Sequence, residues 1–137
     1  MKYKNRRKYK YILEEDETVF CLYYPGVAGI TVQLPYLSFN TTTEELIIKK
    51  GYTWDGPSGP TIDTDTFMRG SLVHDALYQL IREGYLPQGV KSWADRRLRK
   101  ICLEDGMSRI RAAYVYRSVE LFGHSSCNPE KHIKKAP

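Results

Sequence analysis

The sequence predicts an α+β fold, with a small antiparallel sheet first and three helices after it, and three observations carry that expectation. Up to about residue 50, β-branched and aromatic residues dominate and are broken by Pro, Gly, Asn and Thr. Between residues 51 and 66, three glycines, two prolines and three aspartates crowd into "GYTWDGPSGPTIDTDT", a composition no helix or central strand tolerates. Beyond it, apolar residues recur at helical spacing.

Taken in order, residues 9–50 supply the strand candidates "YKYILEE", "TVFCLYY", "GITVQLPYLSF" and "ELIIKKGYTW". Residues 51–65 form a Gly/Pro/Asp loop. The helices are expected over 66–84, 90–105 with Ser92 as a plausible cap, and 108–122 starting at Ser108, with Gly84, Gly106 and Gly123 as stops. In the third helix, Ile110, Ala113, Tyr114, Val119 and Leu121 lie among arginines, which reads as a packing helix with an exposed basic edge. At 137 residues the chain fits one domain with a single core.

The formal charge of +5 is concentrated in the ends, "KYKNRRKYK" and "KHIKK", so residues 1–8 and 125–137 read as basic, flexible tails. No named nucleic-acid motif is present, and a nucleic-acid role is not expected. Acids follow the basic N-terminus at once, and no apolar run approaches a membrane span, so neither a signal peptide nor an anchor is expected. Three widely spaced cysteines, Cys21, Cys102 and Cys127, fit reduced thiols in a cytosolic chain.

The chemistry-bearing stretch is "SLVHDALYQLIREG", residues 71–84. Tyr78 lies four residues after His74 and three after Asp75, so one helix surface presents all three. If the next helix packs antiparallel, Asp95 of "SWADRRLRKIC" faces back towards His74. A carboxylate there fixes the imidazole tautomer and leaves the other ring nitrogen to take a proton from water. Asp75 points elsewhere, towards a glycine-bearing loop whose backbone carbonyls approach closely. A hard cation such as calcium takes six to eight oxygens of this kind at about 2.3–2.6 Å.

Residues 52–100, which include "WDGPSGPTIDTDTFMRGSLVHDALYQL" and end in "ADRRLRK", resemble the phospholipase A2 core, and most closely its disulfide-free form in parvovirus minor capsid proteins. There a G-P loop and aspartates lead to H-D-x-x-Y, a proline-containing linker and an A-D pair. Here the matching residues are Gly56-Pro57, Asp63, Asp65, His74-Asp75-Ala76-Leu77-Tyr78, Pro87 and Ala94-Asp95. The resemblance implies His74 as the base, Tyr78 and Asp95 as its hydrogen-bonding support, Asp75 as a calcium ligand, and Trp54, Gly56 and Ser58 as carbonyl donors. It also implies a phospholipid or membrane-surface substrate. The sequence departs from secreted phospholipases in lacking their disulfides, in carrying Pro57, Pro60 and Asp55 in the loop, and in its β-rich first third.

Nearly the whole chain also resembles small phage and prophage proteins of unassigned function that pair a "GYTWDG"-like segment with a histidine–aspartate helix. This implies a phage origin, placement in the host cytoplasm or virion, and a virion or host protein as a possible partner. Two alternatives stand beside the hydrolase. His74, Tyr78 and Asp95 could form a buried network that only ties helices together, as in a phage structural, assembly or host-defence-interaction protein. A metal phosphohydrolase would need a histidine upstream of residue 74, and the sequence has none.

Overall fold

The computed structural model of the chain describes residues 1–5, 11–20, 29–54 and 65–123. Small antiparallel sheets precede three helices, an α+β arrangement. The chain forms two compact units, Met1–Asp55 and Gly56–Pro137. Residues 6–8 of the N-terminal tail, the C-terminal tail, Cys21, Cys127 and the loop residues 55–64 lie outside the described residues, whereas Tyr3–Asn5 of the N-terminal tail forms a strand.

The first unit holds two sheets. One has the order β1 (Tyr3–Asn5), β2 (Tyr11–Leu13), β7 (Thr53–Trp54), all antiparallel. Its strands are short, and aromatic contacts bind them together. Tyr3 meets Tyr11 edge-on with centroids 5.3 Å apart, and Tyr11 lies 5.4 Å from its cross-strand partner Trp54.

The other sheet has the order β3 (Glu17–Val19), β6 (Glu45–Ile48), β5 (Leu37–Asn40), β4 (Thr31–Gln33). In β5 and β6 every second side chain is buried, and the register sets Leu37 opposite Ile48 and Phe39 opposite Leu46. The stretch "GITVQLPYLSF" is therefore two strands of a hairpin. Pro35 has no N–H for a ladder, and the chain turns there, with the Leu34 N–H donating to the Leu37 carbonyl at 2.8 Å. At the β5–β6 turn the Asn40 side-chain oxygen accepts from the N–H groups of Thr42 and Thr43.

The second unit is built on α1 (Asp65–Arg82), α2 (Val90–Glu104) and α3 (Arg109–Phe122). In α1 the buried set includes Leu72, Val73, Ala76, Leu77, Leu80 and Ile81. The first turn of α2 begins before Ser92. The Pro87 and Gln88 carbonyls accept from the N–H groups of Val90 and Lys91, so the connecting turn runs directly into the helix. Gly89 takes the cap position and Ser92 falls inside the first turn. Ser108 does cap α3, its hydroxyl accepting from the Arg111 N–H at 3.2 Å.

Phe67, Leu98, Cys102, Met107, Ala112 and Val115 make a cluster shared by all three helices, with Val119 at its edge. The buried Cys102 thiol is pushed up to about 12, chiefly by desolvation, which makes it a packing group and a poor nucleophile. The α1 start and the α2 end are also joined by a fork of hydrogen bonds from the Arg69 guanidinium to Asp105.

Helices α1 and α2 approach closely at Gly70. A Cβ there would sit 2.9 Å from the Cys102 Sγ and 3.0 Å from the Leu98 Cδ1. Gly70→Val is expected to lower stability by about 1–3 kcal/mol, as overpacking does. Adding Cys102→Ala should recover part of the loss, and urea unfolding of the single and double variants checks both.

Candidate functional site

The site is assembled from two i,i+4 pairs on facing helices. His74 and Tyr78 share one face of α1, and Lys91 and Asp95 share one face of α2. Asp95 is the centre, at 1% exposed. Its Oδ1 lies 2.8 Å from the His74 Nε2 and accepts from the Tyr78 hydroxyl at 2.6 Å. Its Oδ2 accepts from the Lys91 Nζ at 2.8 Å. The ammonium reaches further, donating to the Val119 and Glu120 carbonyls at 3.3 and 3.4 Å. Those carbonyls belong to the last turn of α3, the end of a helix that favours a cation.

Burial alone raises the Asp95 carboxyl, but the hydrogen bonds from His74, Lys91 and Tyr78 outweigh it and hold it below its ordinary value of 3.8. An ionised Asp95 requires a proton on the His74 Nε2, which assigns the neutral tautomer: Nε2 donates and Nδ1 carries the lone pair. Nδ1 faces the Asp75 side, 3.9 Å from its Oδ1, too long for a hydrogen bond. Burial of the ring opposes the imidazolium, but the carboxylates of Asp75 and Asp95 prevail and raise the His74 pKa. The His74 and Tyr78 rings lie 4.0 Å apart, so tyrosine packing and hydroxyl fix the same corner.

The sequence-derived triad of His74, Tyr78 and Asp95 is thus brought together through Asp95. Asp75 flanks it with its side chain 35% exposed. Trp54 belongs to the first unit, in β7, and Gly56 and Ser58 lie outside the described residues. Among the described residues no group of three or more His, Cys, Asp or Glu side chains is arranged to hold a metal ion. Among the described residues beside His74, Asp75 offers one half-buried carboxylate, fewer oxygens than calcium takes.

Two contributors are not evident from the sequence motif. Lys91 is signalled only by its place four residues before Asp95. Gly123 reads as a helix stop, yet a Cβ on it would overlap the Tyr78 hydroxyl, so that hydroxyl reaches Asp95 only past a bare backbone.

No protein-family model matches the chain, and no curated protein or solved structure is significantly similar to it.

Removing Lys91 leaves a buried carboxylate without its cation, so Lys91→Met should cost about 3 kcal/mol. Tyr78→Phe removes one neutral donor among three and should cost about 1–2 kcal/mol, with urea midpoints separating the two.

The Asp95 carboxyl has its pKa depressed by folding, so its contribution is present above the unfolded value and lost as pH falls through the folded one. Stability should therefore decline below about pH 4. The decline should be shallower in Asp95→Asn, as followed by thermal melts across that range.

Proposed function

We propose that the protein is a phage-encoded hydrolase with a phospholipase A2-like His-Asp site, acting on phospholipid esters. The observation that carries this reading is the division of labour on the His74 ring. Nε2 is committed to Asp95, and the basic Nδ1 is left on the side of Asp75. This is the requirement for a histidine that takes a proton from water while a carboxylate fixes its orientation.

In the proposed reaction a water oxygen bonds to the ester carbonyl carbon as His74 Nδ1 takes the water's proton. The C–O bond to the alcohol then breaks, and the imidazolium returns that proton to the departing oxygen. Products are a fatty acid and a free alcohol on the remaining lipid. Asp95 stabilises the imidazolium, and Tyr78 and Lys91 hold Asp95 in place. The resemblance also implies calcium, for which Asp75 would supply a carboxylate ligand and which would polarise the ester carbonyl.

A second reading has the same network acting only as a tie between helices in a structural or interaction protein. It is favoured by the burial of Asp95 and by the bond from Lys91 to the end of α3.

The two separate on one variant. With phospholipid vesicles at millimolar calcium, the wild-type chain should release fatty acid, and His74→Gln should reduce the rate by about 10²–10⁴, the usual worth of a general base, while remaining folded. Absence of release by the folded wild type would leave the structural reading.

A further inference from the structure

Helix α3 turns an apolar stripe away from the core. Ala112 and Val115 are buried and Val119 is partly so, whereas Ile110, Tyr114 and Leu121 are 86%, 50% and 65% exposed. At 3.6 residues per turn these three fall within about 40° of one another, opposite the buried set, and run about 16 Å along the helix.

Cations border the stripe and continue from it onto α2. Arg117, with its side chain 74% exposed, stands beside it. Arg109 follows on an edge that it shares with Tyr116 and Glu120. That edge meets α2, where the Arg99 guanidinium lies 5.9 Å from the Tyr116 ring and Arg96 is within electrostatic range of the Tyr116 hydroxyl. Arg96, Arg99 and Lys100 are all exposed.

The acids of these two helices and the turn between them are already engaged. Asp95 serves Lys91 and the α1 donors, Glu104 and Asp105 bind Arg69, and Glu120 accepts from Tyr116 and pairs with Arg117. Among the described residues Arg96, Arg99, Lys100 and Arg109 have no carboxylate partner. Four such cations gathered beside three large exposed apolar side chains are more than the scattered hydrophobes and solvated charges of an ordinary surface.

We infer that the α2–α3 seam and the outward stripe of α3 dock on an anionic phospholipid bilayer, with α3 lying in the plane of the interface. The excess of cations selects an anionic partner, and the aliphatic side chains select lipid over nucleic acid. Ile110 and Leu121, the most exposed of the stripe, gain nothing from a sugar-phosphate backbone. A bilayer offers them the boundary between headgroups and acyl chains, where a basic amphipathic helix buries its apolar face about 5–10 Å deep. A single-stranded nucleic acid stacks its bases on aromatic side chains, and Tyr114 is the one exposed aromatic among the described side chains of α3. The arginines suit the bilayer as well, since their stems lie along apolar surface while the guanidinium groups reach lipid phosphates.

Docking of this kind needs no hydrolysis, so ether-linked lipids, which carry the same headgroups and no ester to cleave, test it apart from the proposed reaction. The full chain is sedimented with ether-linked vesicles of phosphatidylcholine alone, or of phosphatidylcholine and phosphatidylglycerol in equal parts. It should bind the mixed vesicles and leave the neutral ones free. Salt at about 1 M, where the Debye length is about 3 Å, should release most of it. Arg96→Gln with Arg109→Gln should weaken binding about 25-fold, at about fivefold per cation near an anionic surface. Ile110→Ser should weaken it about tenfold through lost apolar burial. Both variants should keep the wild-type far-ultraviolet circular dichroism.

A wild-type chain that ignores the mixed vesicles, or binds the neutral ones equally, would overturn the docking surface. Binding that survives both variants would overturn it by assigning attachment to the basic ends "KYKNRRKYK" and "KHIKK". Binding to single-stranded DNA but not to vesicles, weakened by the arginine pair and unchanged in Ile110→Ser, would overturn it in favour of a polynucleotide.

Discussion

One carboxylate governs the second unit. Asp95 is almost fully removed from water, where an uncompensated charge is untenable, and it remains ionised because three donors from two helices converge on its two oxygens. That demand explains features that look unrelated in the sequence. Lys91 must sit one turn before it, His74 and Tyr78 must share a face of α1, and Gly123 must be bare so that the tyrosine hydroxyl can enter. The close approach at Gly70 serves the same end, because it allows the facing surfaces of α1 and α2 to come within hydrogen-bonding reach.

The arrangement also orders the histidine. An imidazole on an otherwise apolar helix could adopt either tautomer and several ring orientations. Here the carboxylate holds Nε2, the Tyr78 ring packs against the imidazole, and the Asp75 carboxylate biases the charge on the Nδ1 side. The ring is thereby held in a single pose. This preorganisation serves a base as well as it serves a structural tie, which is why activity and stability must be measured on the same variant.

Much of this is legible in the residues because it depends on local periodicity. The helix faces follow from spacing alone, and with them the His74–Tyr78 surface and the return of Asp95. The α+β order and the Ser108 cap are equally local in origin. The start of α2 is misplaced by a serine with good capping chemistry, because the turn through Pro87 and Gln88 has already supplied the first helical hydrogen bonds. The outward face of α3 is illegible for a different reason. Its apolar residues come at mixed spacing on both sides of the helix, and only packing decides that Ala112 and Val115 turn inward while Ile110 and Leu121 do not. The clearance at Gly123 is likewise a tertiary fact, since nothing in a C-terminal glycine names the side chain that will press against it.

The Lys91 ammonium makes the site depend on all three helices. Its bonds to the Val119 and Glu120 carbonyls exist only while α3 is docked, and so does the wall that Gly123 gives the Tyr78 hydroxyl. The α1–α2 hairpin supplies the outline of the site and the end of α3 completes it, so a disturbance at that end reaches the histidine without touching it.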